Sequence, residues 1–481
     1  MKEFGSTNVI KNFFWKFAEQ CGAQLVSLVV STILARILSP EDYGTIALVT
    51  VFTSILQVFV DSGLSTTALI QKKHVDDLDY SSVFYFNFLV CSILYAGIFF
   101  AAPLIASFYD DSSLIPIIRV ISLTIIISGI KGTQQAYVSR NMLFRKFFFS
   151  TLGGTIFSAI LGIWMAYAGF GVWALVAQQI ANITVDTLIL WITVKWKPKR
   201  LFSFDRLKEL LSFGWKILAS SLLETTYNNL RSLIIGKMYS TVDLAYYDQG
   251  EKFPKVVVSN INSSIDSVLL PAMSGVQDDK ERIKQMTRQA IKISIYIMAP
   301  LMMGLAFCAE PVVKIFFTDK WLSCVPYLRI FCINYMFWPV HTANLNAINA
   351  MGRSDWYLKL EIIKKIVGIT ILLSTMWFGV EAMAYSLLLS SLLSQIINSW
   401  PNRKLLGYGY LEQIKDFAPS IILAIMMGVC VYFIGLIPLP MIISLIVQVF
   451  AGAIIYIGIS ALLKLDVFEY LLGIIKSFLR K

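Results

Sequence analysis

Residues Ser212 to Met238 read SFGWKILASSLLETTYNNLRSLIIGKM, long enough to cross a bilayer as a helix at about 20 residues per crossing. At about 100° per residue, Lys216, Ser220, Glu224, Tyr227, Asn228 and Arg231 fall within roughly a third of the helix circumference. Leu218, Leu222, Leu230 and Leu233 lie largely elsewhere. One side of a membrane helix is therefore wet. Ionisable groups near a bilayer centre cost roughly 2.5 to 3.5 kcal/mol each on insertion scales, so they usually face a bundle interior or a water-filled cavity. Such a cavity is the functional expectation from which the rest is read.

The whole chain supports a membrane setting. It has 481 residues, 57% apolar, 14% aromatic and only 15% charged, where an ordinary soluble domain carries about 25% charged residues. The net charge of +11 does not indicate nucleic acid, because the basic residues are dispersed among short loops between apolar runs. The first apolar run, near 13 to 38, is longer than a signal-peptide core and lacks a small-residue cleavage pattern, so it reads as a retained helix. Cys21, Cys91, Cys308, Cys324, Cys332 and Cys430 show no metal or disulfide spacing. Two histidines, His74 and His341, make a His-based metal site improbable.

Apolar runs set against polar breaks predict an all-α polytopic fold of about fourteen spans, near 13–38, 43–70, 82–108, 114–138, 148–168, 171–194, 212–238, 252–274, 288–313, 324–350, 359–378, 380–400, 416–437 and 440–463. The breaks SPEDYG at Ser39 to Gly44, AGFGV and IPLP are tight, so neighbouring spans run antiparallel. With the N-terminus inside, about thirty of the 41 Lys and Arg fall on one side, including KWKPKR at Lys195 to Arg200 and the run from Asp278 to Lys292. The positive-inside rule then places both termini in the cytoplasm.

The halves resemble one another. A shift of about 200 residues lays Trp15-Lys16 on Trp215-Lys216, and Gln20, Gln24, Ser27 and Ser31 on Ser220, Glu224, Tyr227 and Arg231. A few residues later Val60-Asp61-Ser62 lies on Ile265-Asp266-Ser267. Six spans per half is an even number, so the copies start on the same side and are related by an axis along the membrane normal. The expected division is a six-helix lobe at 1–200, a second at 201–410, and two further helices with a cytoplasmic tail at 411–481.

No glycine-rich phosphate loop is present to drive a pump, and the carboxylates are scattered without a nucleophile or paired-histidine arrangement. Gly153-Gly154 reads as a helix-packing position. What stands out is a set of intramembrane cations, Lys16, Lys131, Lys216 and Arg231, accompanied by Gln20, Gln24, Gln135, Tyr227 and Asn228. Lys131 shares a face with Thr124, Ser128 and Gln135. Four cations lining a cleft suit an anion. The plain alternatives are that Lys216, Glu224 and Arg231 pair among themselves, or that Lys16 and Lys216 snorkel to the membrane surface. Asp61, Glu224, Asp266 and His341 are candidates for gating or ion coupling, and Pro300, Pro311 and Pro339 for helix kinks.

At Leu34 to Lys73, LARILSPEDYGTIALVTVFTSILQVFVDSGLSTTALIQKK, the chain resembles the Wzx-type polysaccharide flippases, in the superfamily that includes the MATE drug exporters and the MurJ lipid II flippase. SPEDYG, DSGL and QKK carry most of the likeness, which continues through SRNMLFRK at Ser139 to Lys146, the LLSFGWK opening and LPAMSGVQDDKER at Leu270 to Arg282. The resemblance implies a MATE-like fold, a non-enzymatic role and a substrate made of oligosaccharide linked by pyrophosphate to undecaprenol. That substrate would cross a bacterial inner membrane by rocking of the two lobes. Lys16, Lys131, Lys216 and Arg231 would meet the pyrophosphate, while Gln20, Gln24, Gln135, Tyr227 and Asn228 would serve the sugar. The partners it implies are the lipid-linked glycan, membrane lipids, a polysaccharide polymerase and glycosyltransferases. It implies no cofactor, but coupling to an H+ or Na+ gradient, with no residue pattern here that fixes the ion. The rival on the same fold is an ion-coupled drug or metabolite antiporter, which predicts a cleft of aromatic residues and carboxylates rather than cations.

Overall fold

The computed structural model describes residues 6–61, 69 and 75–479, and among these the chain is helical with no strand. QKK, His74 and all of DSGL after Asp61 lie outside the described residues, as does the side chain of Gln20. By their contacts the residues fall into two compact units, Met1–Ala245 and Tyr246–Lys481.

The first unit contains α1 (Ser6–Ile37), α2 (Pro40–Asp61), α3 (Asp77–Tyr109), α4 (Leu114–Ile121), α5 (Leu123–Arg140), α6 (Phe144–Tyr167), α7 (Val172–Thr193) and α8 (Phe204–Met238). Next comes α9 (Thr241–Ser274), whose first turn falls in this unit and the remainder in the second. The second unit continues with α10 (Lys280–Phe307), α11 (Ala309–Phe316), a 3-10 turn at Asp319–Cys324, α12 (Val325–Met336), α13 (Trp338–Ala350), α14 (Ser354–Thr375), α15 (Val380–Leu406), α16 (Tyr410–Gly435), α17 (Met441–Leu462) and α18 (Asp466–Leu479).

Among the described residues ten spans are long and apolar enough to cross a membrane. The stretches expected at 13–38, 212–238, 324–350 and 359–378 are helical too, but more polar or more broken. Two expected spans are interrupted: 114–138 is divided at the buried Ser122, and 324–350 at Phe337, with Pro339 in the first turn of the following helix. Proline lacks an N–H and is tolerated in a helix's first turn, so it marks the restart and not a kink in mid-helix. Pro300 lies within α10.

Local sequence explains why the same connections recur in both halves. Ser39 and Asp42 cap α2 reciprocally: the Asp42 backbone N–H donates to Ser39 Oγ (3.2 Å), and Ser39 donates to the Asp42 carboxylate. Ser240 and Asp243 repeat the arrangement at the start of α9 (3.0 and 2.6 Å). Further on, the tripeptide Phe-Gly-Val opens α7 at 170–172 and α15 at 378–380. Its glycines, Gly171 and Gly379, have φ of +54° and +103°, a region that side chains other than glycine's rarely enter.

The segment from Val194 to Ser203, basic in sequence, is strapped onto the start of α3. Trp196 Nε1 donates to Asp77 (3.1 Å) and the Trp196 carbonyl accepts from Gln134 (3.1 Å). The Lys199 and Ser203 N–H groups donate to Ser81 (3.0 Å) and Ser82 (2.9 Å), and Lys199 pairs with Asp77 at 2.5 Å. Beside it, the Asp79 backbone N–H holds the Asp76 carboxyl below the usual carboxylate range. The Trp196 ring is buried against Tyr80 and Tyr137.

In the second unit α16 is fixed by a buried amide cluster. The Asn344 and Gln413 side chains exchange hydrogen bonds (2.9 Å each way), and Asn402 donates to Asn344 Oδ1 (2.7 Å). Asp416 then accepts from Arg288 (2.7 Å) and Tyr408 (2.8 Å) and lies 3.4 Å from Lys292. The buried amides hydrogen-bond one another, whereas Arg288 keeps about half of its side chain exposed, at 52%.

Truncating Trp196 to alanine should cost about 3 to 5 kcal/mol, the usual range for a buried large aromatic. The loss will show as a lowered melting temperature of the purified protein, whereas an unchanged melt would mean that the strap does not hold the first unit together.

Candidate functional site

In the first unit α5 and α7 bring two opposite charges together. Lys131 on α5 pairs with Asp186 on α7, whose side chain is 7% exposed. On α2, Asp61 accepts from Gln57 one turn earlier (3.0 Å). Among the described residues, the buried Asp186 Oδ1 has no hydrogen-bond donor. The geometry depends on Gly154: a Cβ there would come within 2.7 Å of the Asn182 carbonyl and 3.1 Å of Asp186 Cβ. Glycine lets α6 and α7 close together, and Asn182 bridges to Ser158 on α6 at 3.3 Å.

Of the four expected cations, each has a different setting. Lys16 pairs with Glu19 (2.9 Å) and lies 5.6 Å from the Phe147 ring centroid, while Glu19 accepts from Thr151 on α6. Lys131 is neutralised by Asp186. Lys216 is exposed and has no ion-pair partner among the described residues. Arg231 is half-buried and engaged with neighbouring groups. Gln24 and Gln135 are half-buried.

On α8 the stripe read from sequence is the accessible one. Lys216, Ser220, Glu224 and Asn228 are all exposed, at successive i+4 positions. Asn228 donates to Glu224 at 3.2 Å. Tyr227 and Arg231 are half-buried, as are Leu218, Leu222, Leu230 and Leu233. A second exposed strip, with Trp215 and Leu223 at 56% and 67%, is apolar. One helix thus offers both a polar and a lipid-like edge.

In the second unit Asp266 and His341 meet neutral partners. Asp266 on α9 accepts from Asn346 on α13 (2.8 Å), and Asn262 accepts from Thr342 (2.8 Å), so pairs one helical turn apart on each helix zip α9 to α13. His341 sits between Asn398, which donates to Nδ1 (3.1 Å), and Ser391 beside Nε2 (3.4 Å). That places His341 in an uncharged hydrogen-bond network. Among the described residues no group of three His, Cys, Asp or Glu is placed to hold a metal ion.

Two features were not anticipated from the sequence. Asp186 is the acidic residue of a span whose polar positions Gln178, Asn182 and Asp186 recur at i+4; an acid in a membrane helix is itself the signal. The other is an apolar groove of about 590 Å³ between α10, α16 and α17, lined by aliphatic side chains such as Leu301, Leu305, Val431, Leu445 and Val449.

Comparison with known proteins places these features. The family described as "Polysaccharide biosynthesis protein" matches residues 33–326. The succinoglycan biosynthesis transport protein ExoT of Rhizobium meliloti (strain 1021) is 25% identical over 326 residues, covering 68% of this chain and 66% of that protein. Among solved structures, the lipid II flippase MurJ in an inward closed conformation matches with a TM-score of 0.77 at 16% identity, over 94% of this chain and 99% of that one. An inward-facing multidrug resistance transporter of the MATE family matches with a TM-score of 0.64 at 16% identity, over 82% and 98%. The fold is therefore that of the MATE and MurJ transporters, and the chain is a multi-pass membrane protein.

Replacing Lys131 with Met strands the buried Asp186 charge and should cost about 3 to 5 kcal/mol. The double replacement Lys131→Met with Asp186→Leu should recover most of that loss. A thermal-melting cycle over the four proteins measures it, and two single variants as stable as the parent would show that the pair is not coupled.

Proposed function

The chain belongs to the polysaccharide biosynthesis protein family, and from that premise we propose that it is a flippase for undecaprenyl-pyrophosphate-linked oligosaccharide. The cargo class is an O-antigen, capsule or exopolysaccharide repeat unit, carried across the bacterial inner membrane by alternating access. The observation that carries this reading is the exposed ladder Lys216, Ser220, Glu224 and Asn228 on a helix of a membrane protein. A pyrophosphate cannot enter hydrocarbon without compensating cations and donors.

In this reading Lys216 is the first cation the pyrophosphate meets, with Arg231 and Lys16 nearby in role, and Asn228, Tyr227, Gln24, Gln135 and Gln20 serve the sugars. Lys131 acts differently from the other cations, because it already has a counter-ion. An anion that draws Lys131 away leaves Asp186 to take up a proton or sodium ion, which is how we couple transport to an ion gradient. Asp61 and Asp266 are gating residues whose partners, Gln57 and Asn346, are exchanged during the cycle. The aliphatic groove between α10, α16 and α17 suits a polyprenyl tail, which can stay apolar while the headgroup crosses.

The moving parts are the lobes 1–200 and 201–410, with 411–481 appended, and both termini are cytoplasmic by the positive-inside rule. The protein performs no bond chemistry; a polymerase and glycosyltransferases act before and after it. ExoT, named as a transport protein of succinoglycan biosynthesis, and MurJ, named as a flippase, support a transporter.

Arg231→Ala should lower export of surface glycan about tenfold or more, the loss expected for a charge-assisted hydrogen bond of about 1.5 to 3 kcal/mol. Arg231→Lys should retain part. Both are read in a strain lacking the native gene, with membrane levels of the variants checked. Parental export by the alanine variant removes Arg231 from the path.

A further inference from the structure

A second pocket, of about 460 Å³, opens between α10 and α18. One wall is Gln285, Arg288, Gln289 and Lys292, spaced i, i+3, i+4 and i+7, so a single stripe of α10 supplies all four. The facing wall is Asp466, Val467 and Tyr470 at the start of α18. The pocket lies at a membrane surface. After Lys292 the α10 sequence turns apolar (ISIYIMAPLMM), and the apolar α17 ends at Leu462. Lys464, with φ of +47°, then turns the chain into α18. In α18 Val467, Phe468, Leu471, Leu472 and Ile474 are partly covered while Asp466, Glu469 and Lys476 are exposed. An amphipathic helix of this kind lies in the headgroup plane.

The charges define the occupant. Arg288 and Lys292 share one buried carboxylate, Asp416, at 2.7 and 3.4 Å, and the field of a second carboxylate, Glu412, also reaches Arg288. Arg288 remains 52% exposed and can reach a second acceptor. On the opposite wall Asp466 is an exposed carboxylate, one helical turn before Tyr470, which lines the same pocket. A ligand that matches both walls carries a negative and a positive group a few bonds apart.

We propose that this pocket binds the zwitterionic headgroup of an aminophospholipid, phosphatidylethanolamine, with its phosphate on Arg288, Lys292 and the glutamine amides and its primary ammonium on Asp466 and Tyr470. Phosphatidylcholine has the same net charge but no N–H to donate to Asp466. Phosphatidylglycerol satisfies the cations and leaves Asp466 without a counter-charge. The site is separate from the glycan path and stands whether or not that path is as proposed.

The test uses the full chain in nanodiscs of equal phosphatidylethanolamine, phosphatidylcholine and phosphatidylglycerol, with retained lipid identified by native mass spectrometry. Phosphatidylethanolamine should be enriched about two- to fivefold over each of the others, the range of a partly exposed ion pair. Asp466→Asn, a near-isosteric change on an exposed helix start, should abolish the preference over phosphatidylglycerol; Lys292→Gln should lower both lipids together. Equal retention of the three lipids, or an unchanged preference in Asp466→Asn, overturns the proposal. So does displacement of the bound lipid by equimolar soluble phosphoethanolamine, which would mean that the headgroup alone is the ligand.

Discussion

Inside a bilayer a charge must find its counter-charge in the protein, and in the first unit Lys131 and Asp186 meet that requirement. The short reach of Asp186 demands that α7 be held near α5, and Gly154 on α6 leaves room for α7 beside Asp186. The pair explains why a helix as polar as α5, with its lysine and glutamines, can lie among apolar neighbours. Breaking such a pair exposes a buried charge, so it must be released by something of equal charge, and an anionic cargo or a cation from solution is the natural exchange partner.

The second unit meets the same requirement with a mixture of partners, the neutral Asn346 for Asp266 and the cations Arg288 and Lys292 for Asp416. Asn262, Thr342, Asp266 and Asn346 zip α9 to α13, and Asn344, Asn402 and Gln413 tie α15 and α16 to α13. The two halves share capping residues and Phe-Gly-Val openings, yet their interiors use different chemistry. Connections are repeated because backbone turns tolerate few sequences; the polar interiors have diverged because many partner sets satisfy the same buried groups.

Much of this was legible in the chain. Of the α8 stripe Lys216, Ser220, Glu224, Tyr227, Asn228 and Arg231, helical periodicity located four exposed members, whereas Tyr227 and Arg231 are half-buried like the leucines. The inward placement of Lys131 followed from Thr124, Ser128 and Gln135. Its partner did not, because Asp186 is more than fifty residues away and only packing brings them together. The basic segment at 195–200 reads as a solvated loop by composition, whereas Trp196, Lys199 and Ser203 dock it through tertiary hydrogen bonds that no periodicity encodes. The groove between α10, α16 and α17 was equally hidden, since its lining is indistinguishable in sequence from lipid-facing surface.

The docked strap also sets where this protein can be cut. Asp77, Ser81 and Ser82 near the start of α3 take their donors from Trp196, Lys199 and Ser203, which follow α7. A fragment ended at Thr193 would lack α8, which belongs to the first unit, and would leave the buried Ser81 and Ser82 without these donors. The first unit runs on through α8 to Ala245, so a border drawn at the end of α7 would strip the start of α3 of the partners that hold it.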